Sequence, residues 1–337
     1  MDFATLGITV LWTFLYGYVL IASIDFGAGF YNFYAKLTNQ DNIITPIINR
    51  YLNPVWEVTN VFFVFFFVGI VGFFPDTAYY LGTVLLIPAS ISLIMLAIRG
   101  SYYAFNQYSQ GTNMVWTFLY GVTGLFIPAS LSVALVIAEG GFIEETAAGL
   151  DLDYVELFFS GYTWSVVFLA VISVLYISSG FLLFYSNRAK AKQAVELTRT
   201  WFLTWTIPML VISQFVFLEL RAINREHFDN ATQNYWYFFL CSIVFMAIAA
   251  YLVYKKKNYG VAFVMVMLQF AFAFFGYGIS KLPYILYPFI KLDAVVNDSM
   301  AIALVIVFVL GLLLLIPSLI ILMRLFLFDK DYVQGKE

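Results

Sequence analysis

Asp25, Glu57 and Arg99 stand out chemically from their surroundings in this 337-residue chain. Asp25 interrupts one apolar run, Glu57 opens a second and Arg99 closes a third. An Asp or Arg at the centre of a bilayer costs about 2.5–3.5 kcal/mol on insertion scales, so each needs a partner or a task. Two carboxylates near an arginine suit a buried charge-paired cluster, or a proton entry site whose affinities are set by burial and by each other. Gly27 and Gly29, just after Asp25, let another helix approach closely. Trp56 beside Glu57 reads as an interfacial anchor. Plainer readings stand beside these. Arg99 at a helix end fits a snorkelling residue on the cytoplasmic side, and Glu57 fits a carboxylate favoured by a helix N-terminus. Gln269 and Gln214 read as interhelical hydrogen-bonding residues, and Asp298 and Lys281 as surface charges at outer helix ends.

Other chemistry is limited by supply. Haem iron and copper are held chiefly by His, Met or Cys. The chain offers one histidine, one cysteine (Cys241) and 9 methionines. His227 lies in Arg-Glu-His-Phe-Asp, a polar stretch that suits a solvated imidazole. No phosphate-cradling loop, Ser-His-Asp order or metalloprotease His pair occurs. No catalytic residue, cofactor site or metal site is therefore expected in this chain alone. A net charge of −3 gives no footprint for nucleic acid.

The elements that position these residues follow from composition. Hydrophobic residues make up 63% of the chain, aromatics 20% and charged residues 11%. No soluble fold of this size hides so much apolar surface. About 20 apolar residues cross about 30 Å of hydrocarbon as a helix. Runs at 7–30, 57–75, 77–98, 115–138, 162–185, 200–218, 235–254, 258–280 and 299–323 meet that test. They are too long for membrane β-strands and lack the two-residue alternation of a barrel. The expected fold is an all-α integral membrane protein of about nine transmembrane helices in one domain over 1–337. No Lys or Arg precedes Lys36, so the first span is expected to stay as an anchor. With the N-terminus outside and the C-terminus cytoplasmic, only Arg221, Arg225, Lys281 and Lys291 of the 17 Lys and Arg fall on the outer side.

Repetition is faint. Ile87-Pro88-Ala89-Ser90-x-Ser92 is echoed by Ile127-Pro128-Ala129-Ser130-x-Ser132, which predicts matched kinks in two neighbouring helices. Phe30-Tyr31 with Lys36 is echoed by Phe184-Tyr185 with Lys190. Together they suggest two four-helix bundles, a pseudo-repeat over 1–138 and 162–280, plus a final helix at 299–323.

These residues carry a family resemblance. Ser23-Ile24-Asp25-Phe26-Gly27-Ala28-Gly29 is similar to the Asp-x-Gly-x-Gly signature ending the first helix of subunit II of cytochrome bd-type quinol oxidases. Pro54-Val55-Trp56-Glu57-Val58-Thr59-Asn60-Val61 resembles the region opening that family's second helix, and Arg99-Gly100 followed by Phe105 its third-helix exit. The resemblance runs end to end. It implies a multi-pass protein of a bacterial cytoplasmic membrane, partnered with a haem-bearing subunit I that holds two b haems and one d haem, oxidises quinol and reduces oxygen to water. A small accessory membrane subunit is a further expected partner. By position, Asp25 and Glu57 would be the protonatable residues of a cytoplasm-facing route, surrounded by Trp56, Asn60 and Arg99. The sequence departs from the family where many members carry another acidic residue three positions before the motif Asp; here it is Ala22. Val58 and Phe62 likewise stand where Gly and Trp are common. The abundant Phe of the second and eighth spans is expected to serve the interface with subunit I. Two other classes stay open: a self-contained transporter using Asp25 and Glu57 as coupling carboxylates, and a purely structural assembly subunit.

Overall fold

The structure, a computed structural model, describes residues 3–108, 114–146, 149–292 and 298–334. The side chains of Trp56, Glu57, Phe105 and Asp298 lie outside the description. The first five helices are α1 (Phe3–Leu37), α2 (Asp41–Phe73), α3 (Pro75–Val84), α4 (Leu86–Tyr108) and α5 (Met114–Ala138). A two-stranded hairpin, β1 (Ile143–Thr146) and β2 (Gly149–Leu152), and the short α6 (Tyr154–Phe159) lead into α7 (Gly161–Arg188). Then come α8 (Lys192–Ile223), α9 (Arg225–Gln233), α10 (Trp236–Tyr254) and α11 (Tyr259–Lys281). A second small hairpin, β3 (Tyr284–Leu286) and β4 (Ile290–Lys291), precedes α12 (Asp298–Met323), a π-helical turn at Arg324–Phe328 and α13 (Lys330–Gln334).

Among the described residues, 7 helices are long and apolar enough to cross a membrane, or 8 with the bent pair α3 and α4 taken as one span. Val58–Phe73 of α2 is a shorter apolar helix. The chain is overwhelmingly helical, with the two hairpins as small additions that the helical periodicity does not foretell. The matched kinks are not found as expected. Pro88 sits in the first turn of α4, where proline is tolerated, and the chain breaks before it with a bend of 76°. Pro128 stays inside a continuous α5. The two motifs nevertheless touch: the Ser92 and Ser130 hydroxyls both donate to the Pro88 carbonyl, at 3.0 and 2.7 Å.

The core centres on α1, which packs against α2, α5 and α7. Gly27 makes the α1–α7 crossing possible. A Cβ there would stand 2.2 Å from Ser178 Cβ and 2.9 Å from the Val174 carbonyl. Aromatic side chains fill much of the remaining space. Phe14 stacks on Phe65 at 5.0 Å and meets Phe308 edge-on at 5.7 Å, while Trp12 stacks on Phe274 at 4.6 Å. Many Phe of α2 and α11 are thus engaged within the chain: Phe62, Phe65 and Phe73 pack toward α1 and α12, and Phe263 toward α7. Phe67 instead points outward and is 44% exposed.

The second hairpin is anchored to the end of α5. Tyr287 N–H donates to the Ala138 carbonyl at 3.1 Å, and Gly140 takes φ +85° beside it. A Cβ at Gly140 would lie 1.7 Å from the Tyr287 carbonyl oxygen, so backbone sign and backbone clash both exclude a side chain. Gly140→Ala should shorten the inactivation half-life of the assembled protein by the equivalent of about 2–4 kcal/mol. Gly260→Ala, where a Cβ meets only Phe184 at 3.5 Å, is the control. Equal half-lives would contradict this account of the anchor.

Candidate functional site

Asp25 and Arg99 meet in the interior of the bundle. Asp25 is 1% exposed and Arg99 is fully buried. Arg99 grips the carboxylate with two parallel bonds, Nε to Oδ2 and Nη2 to Oδ1, both 3.1 Å. Nη2 also donates to the Asp25 carbonyl, and Nη1 to the Tyr120 carbonyl at 2.9 Å. The Tyr120 hydroxyl donates to Oδ1 at 3.2 Å, and its ring lies 3.9 Å from the guanidinium carbon. Three helices, α1, α4 and α5, are thereby tied at one point. Gly29 and Gly124 leave the room: Cβ atoms there would stand 3.0 and 3.2 Å from Arg99 Nη1. Arg99 is therefore not a snorkelling residue. Snorkelling needs a path to water, and Tyr120 and Phe26 close it.

Asn60 is exposed on α2, away from full burial, and Glu57 and Trp56 lie outside the described side chains. Gln269 behaves as expected, buried and accepting from the Tyr176 hydroxyl of α7 at 3.0 Å. Gln214 does not: it is exposed, and among the described residues its side chain reaches its neighbour Ser213.

A second charged cluster lies at the other end of α5. Glu139, just past that helix, is fully buried, and its carboxylate accepts four bonds. Lys281 Nζ lies 3.3 Å from Oε1, and the Tyr277 hydroxyl donates to the same oxygen. Asn224 Nδ2 donates to Oε2 at 2.9 Å, and His227 Nδ1 stands 3.1 Å from it. Burial alone would raise the Glu139 pKa. Lys281, His227 and the Tyr277 hydroxyl outweigh it and bring it down to about 2. Two sequence readings are corrected here. His227 is only 4% exposed and Lys281 only 9%, with α9 packed against α8 and α11. Individually they resembled loop and helix-end residues; what the sequence did not show was that Glu139 joins them.

The haem question can be put to these residues. His227 has its second nitrogen, Nε2, 2.9 Å from Ser280 Oγ, so neither nitrogen is left for an axial bond. Cys241 is half-buried on α10, and among the described residues no group of three or more His, Cys, Asp or Glu could hold a metal ion. His227 thus offers no open nitrogen to a haem iron.

A multi-pass helical membrane protein with ion pairs buried between its spans is the class that fold and site define. A family model for cytochrome bd terminal oxidase subunit II matches residues 3–326. A Bacillus subtilis (strain 168) protein named "Putative cytochrome bd menaquinol oxidase subunit II" is 30% identical over 342 residues, covering 99% of this chain and 98% of that one. A chain in the structure of bd oxidase from Geobacillus thermodenitrificans is 51% identical with a TM-score of 0.84, over 98% of this chain and 100% of that one. The chain belongs to the cytochrome bd terminal oxidase subunit II family. It is a multi-pass protein of the bacterial cytoplasmic membrane and part of a respiratory quinol oxidase complex, whose other members include a subunit I and whose haems and quinol belong to the complex.

Proposed function

We propose that this chain stabilises the haem-bearing subunit I and contributes a proton route from the cytoplasm through Asp25 and Glu57, with Trp56, Asn60 and Arg99 around them. The observation that carries the reading is Asp25 itself, an ionisable group buried at 1% exposure where α1, α4 and α5 converge. Nine crossings with the N-terminus outside put that junction at the cytoplasmic end. Family membership leaves a self-contained transporter without support.

One observation favours a second reading for Asp25. Its carboxylate is gripped on both oxygens, which suits a pin holding three helices as well as a proton carrier. Asp25→Asn and Glu57→Gln separate the two in the assembled oxidase. The route reading expects slower oxygen consumption with the reduced-minus-oxidised haem spectrum retained. Wild-type turnover with full haem content in both variants would remove it, and loss of the haem bands would assign Asp25 to assembly. Menaquinol, named for the Bacillus subtilis relative, is the quinol to assay first.

The pseudo-repeat is also part of this proposal, and ring packing supports it. Tyr31 of α1 stacks on Trp201 of α8 at 4.6 Å, and its echo Tyr185 of α7 packs against Tyr51 of α2 at 5.2 Å. Each half thus sends the same tyrosine into the second helix of the other half.

A further inference from the structure

The connection from α5 to α7 ends in a short helix whose apolar side chains face outward. α6 starts where the Asp153 carboxylate accepts the backbone N–H groups of Val155 and Glu156, both at 2.9 Å. It stops at Phe159, and the Trp164 indole donates to the Phe158 carbonyl at 2.7 Å, filling one of the acceptors that a helix C-terminus leaves open. So short a helix is not stable by itself. Its place is set by these ties and by Leu157, which is buried in the apolar cluster with Ile137, Leu152 and Tyr162. Successive side chains turn about 100° around the axis. Tyr154, Val155, Phe158 and Phe159 therefore fall within one arc of about 140°, Leu157 points away from it, and Glu156 takes the remaining side. All four side chains of the arc are exposed, Phe159 at 79%, and so is Glu156. The helix thus has three sides of different chemistry: one against protein, one charged, and one apolar and bare.

What the bare side meets follows from its neighbours. Phe158 stands edge-on to Trp164 at 5.5 Å, and Trp164 lies 6.0 Å from Phe168, one turn further along α7. Trp164 and Phe168 are themselves exposed, so the arc runs unbroken onto the outward face of a membrane-spanning helix. Phe215 and Leu218 of α8 are exposed as well. A Cβ at Gly161 would stand 3.4 Å from a Glu219 carboxylate oxygen, so a charged group marks the level at which α7 starts. α6 is held against that first turn, at the depth where Trp and Tyr collect in membranes. We propose that α6 is a lipid-binding foot: Tyr154, Val155, Phe158 and Phe159 rest among the glycerol and upper acyl groups of the leaflet in which α7 begins, and Glu156 faces water. The foot continues the lipid-facing surface of α7, and its seat in the membrane keeps Leu157 in the apolar cluster beside the Glu139 end of α5. The attraction is apolar. Residues 139–160 contain several carboxylates and no Lys or Arg, which offers anionic headgroups nothing to pair with, so the partner is a zwitterionic or neutral phospholipid.

The test attaches a nitroxide to the assembled oxidase in phosphatidylcholine nanodiscs, through Phe159→Cys in one sample and Glu156→Cys in another. The signal of the unsubstituted complex is subtracted to remove Cys241 and any other reactive thiol. Both positions are exposed, so neither label has to displace a neighbour. Power saturation then compares collisions with oxygen, which concentrates in lipid, and with a water-soluble nickel chelate, which lipid excludes. At Phe159→Cys oxygen should relax the label several-fold more than the chelate does, and at Glu156→Cys the order should reverse. Raising the salt concentration should leave the oxygen preference at Phe159→Cys unchanged, since no charge attraction holds the foot. Preference for the chelate at Phe159→Cys would place α6 in water, and shielding from both reagents would place it under a partner subunit; either overturns the proposal. Oxygen preference at both positions, or its loss in salt, overturns it as well. The readout needs no turnover, so it stands or falls separately from the Asp25 route.

Discussion

Replacing Arg99 with Met should cost the assembled oxidase about 3–5 kcal/mol and sharply reduce the yield of haem-bearing complex. The reasoning is that Asp25 would lose every guanidinium bond at a point almost sealed from water. The desolvation of a carboxylate is then uncompensated, and the tie among α1, α4 and α5 is gone. Pairing Arg99→Met with Asp25→Leu removes both charges and should recover part of the loss, since apolar replacement of a whole buried pair is often neutral or better. The check is complex yield and inactivation half-life for the two singles and the double. A double variant no better than Arg99→Met would show that geometry, and not the stranded charge, carries the effect.

Glu139→Leu should be comparably damaging, by about 3–5 kcal/mol, because it strands Lys281 and leaves Asn224 and Tyr277 with unfilled donors. Acid offers a gentler route to the same bonds. Glu139 sits below the ordinary carboxyl value of 4.5, at about 2 in the folded chain. A depressed folded-state pKa stabilises at pH values above the unfolded value, and that stability is lost as pH falls toward the folded one. The wild-type complex should therefore lose about 3 kcal/mol between pH 4.5 and about 2, a loss that Glu139→Gln lacks over the same window. Half-lives measured across that range in both proteins decide it; parallel curves would mean that Glu139 does not carry this acid sensitivity.

How far these sites were legible in the sequence differs for physical reasons. Asp25 announces itself because an apolar run on both sides removes every ordinary explanation for a carboxylate. Arg99 does not, since a helix end is where arginines normally reach water. Its burial depends on Gly29 and Gly124, which let Tyr120 close over it, and that is a contact between helices and not a property of any one. Glu139, His227 and Lys281 were hidden more thoroughly. Each ends a span or sits in a polar stretch, and no period links positions so far apart in the chain. The break before α4 escaped for another reason: helical periodicity continues on both sides of a bend, so composition gives one span where geometry gives two helices at 76°.

The Asp25–Arg99 pair also says something about time. Its members are separated by 74 positions, and the chain emerges from the ribosome at about 5–20 residues per second. Asp25 therefore enters the bilayer about 4–15 s before the arginine that neutralises it exists. Through that interval Asp25 lacks the guanidinium that holds its carboxylate in the folded chain. The synthesis of α4 supplies it. The ion pair can therefore close only once the fourth helix has been made, long after the first.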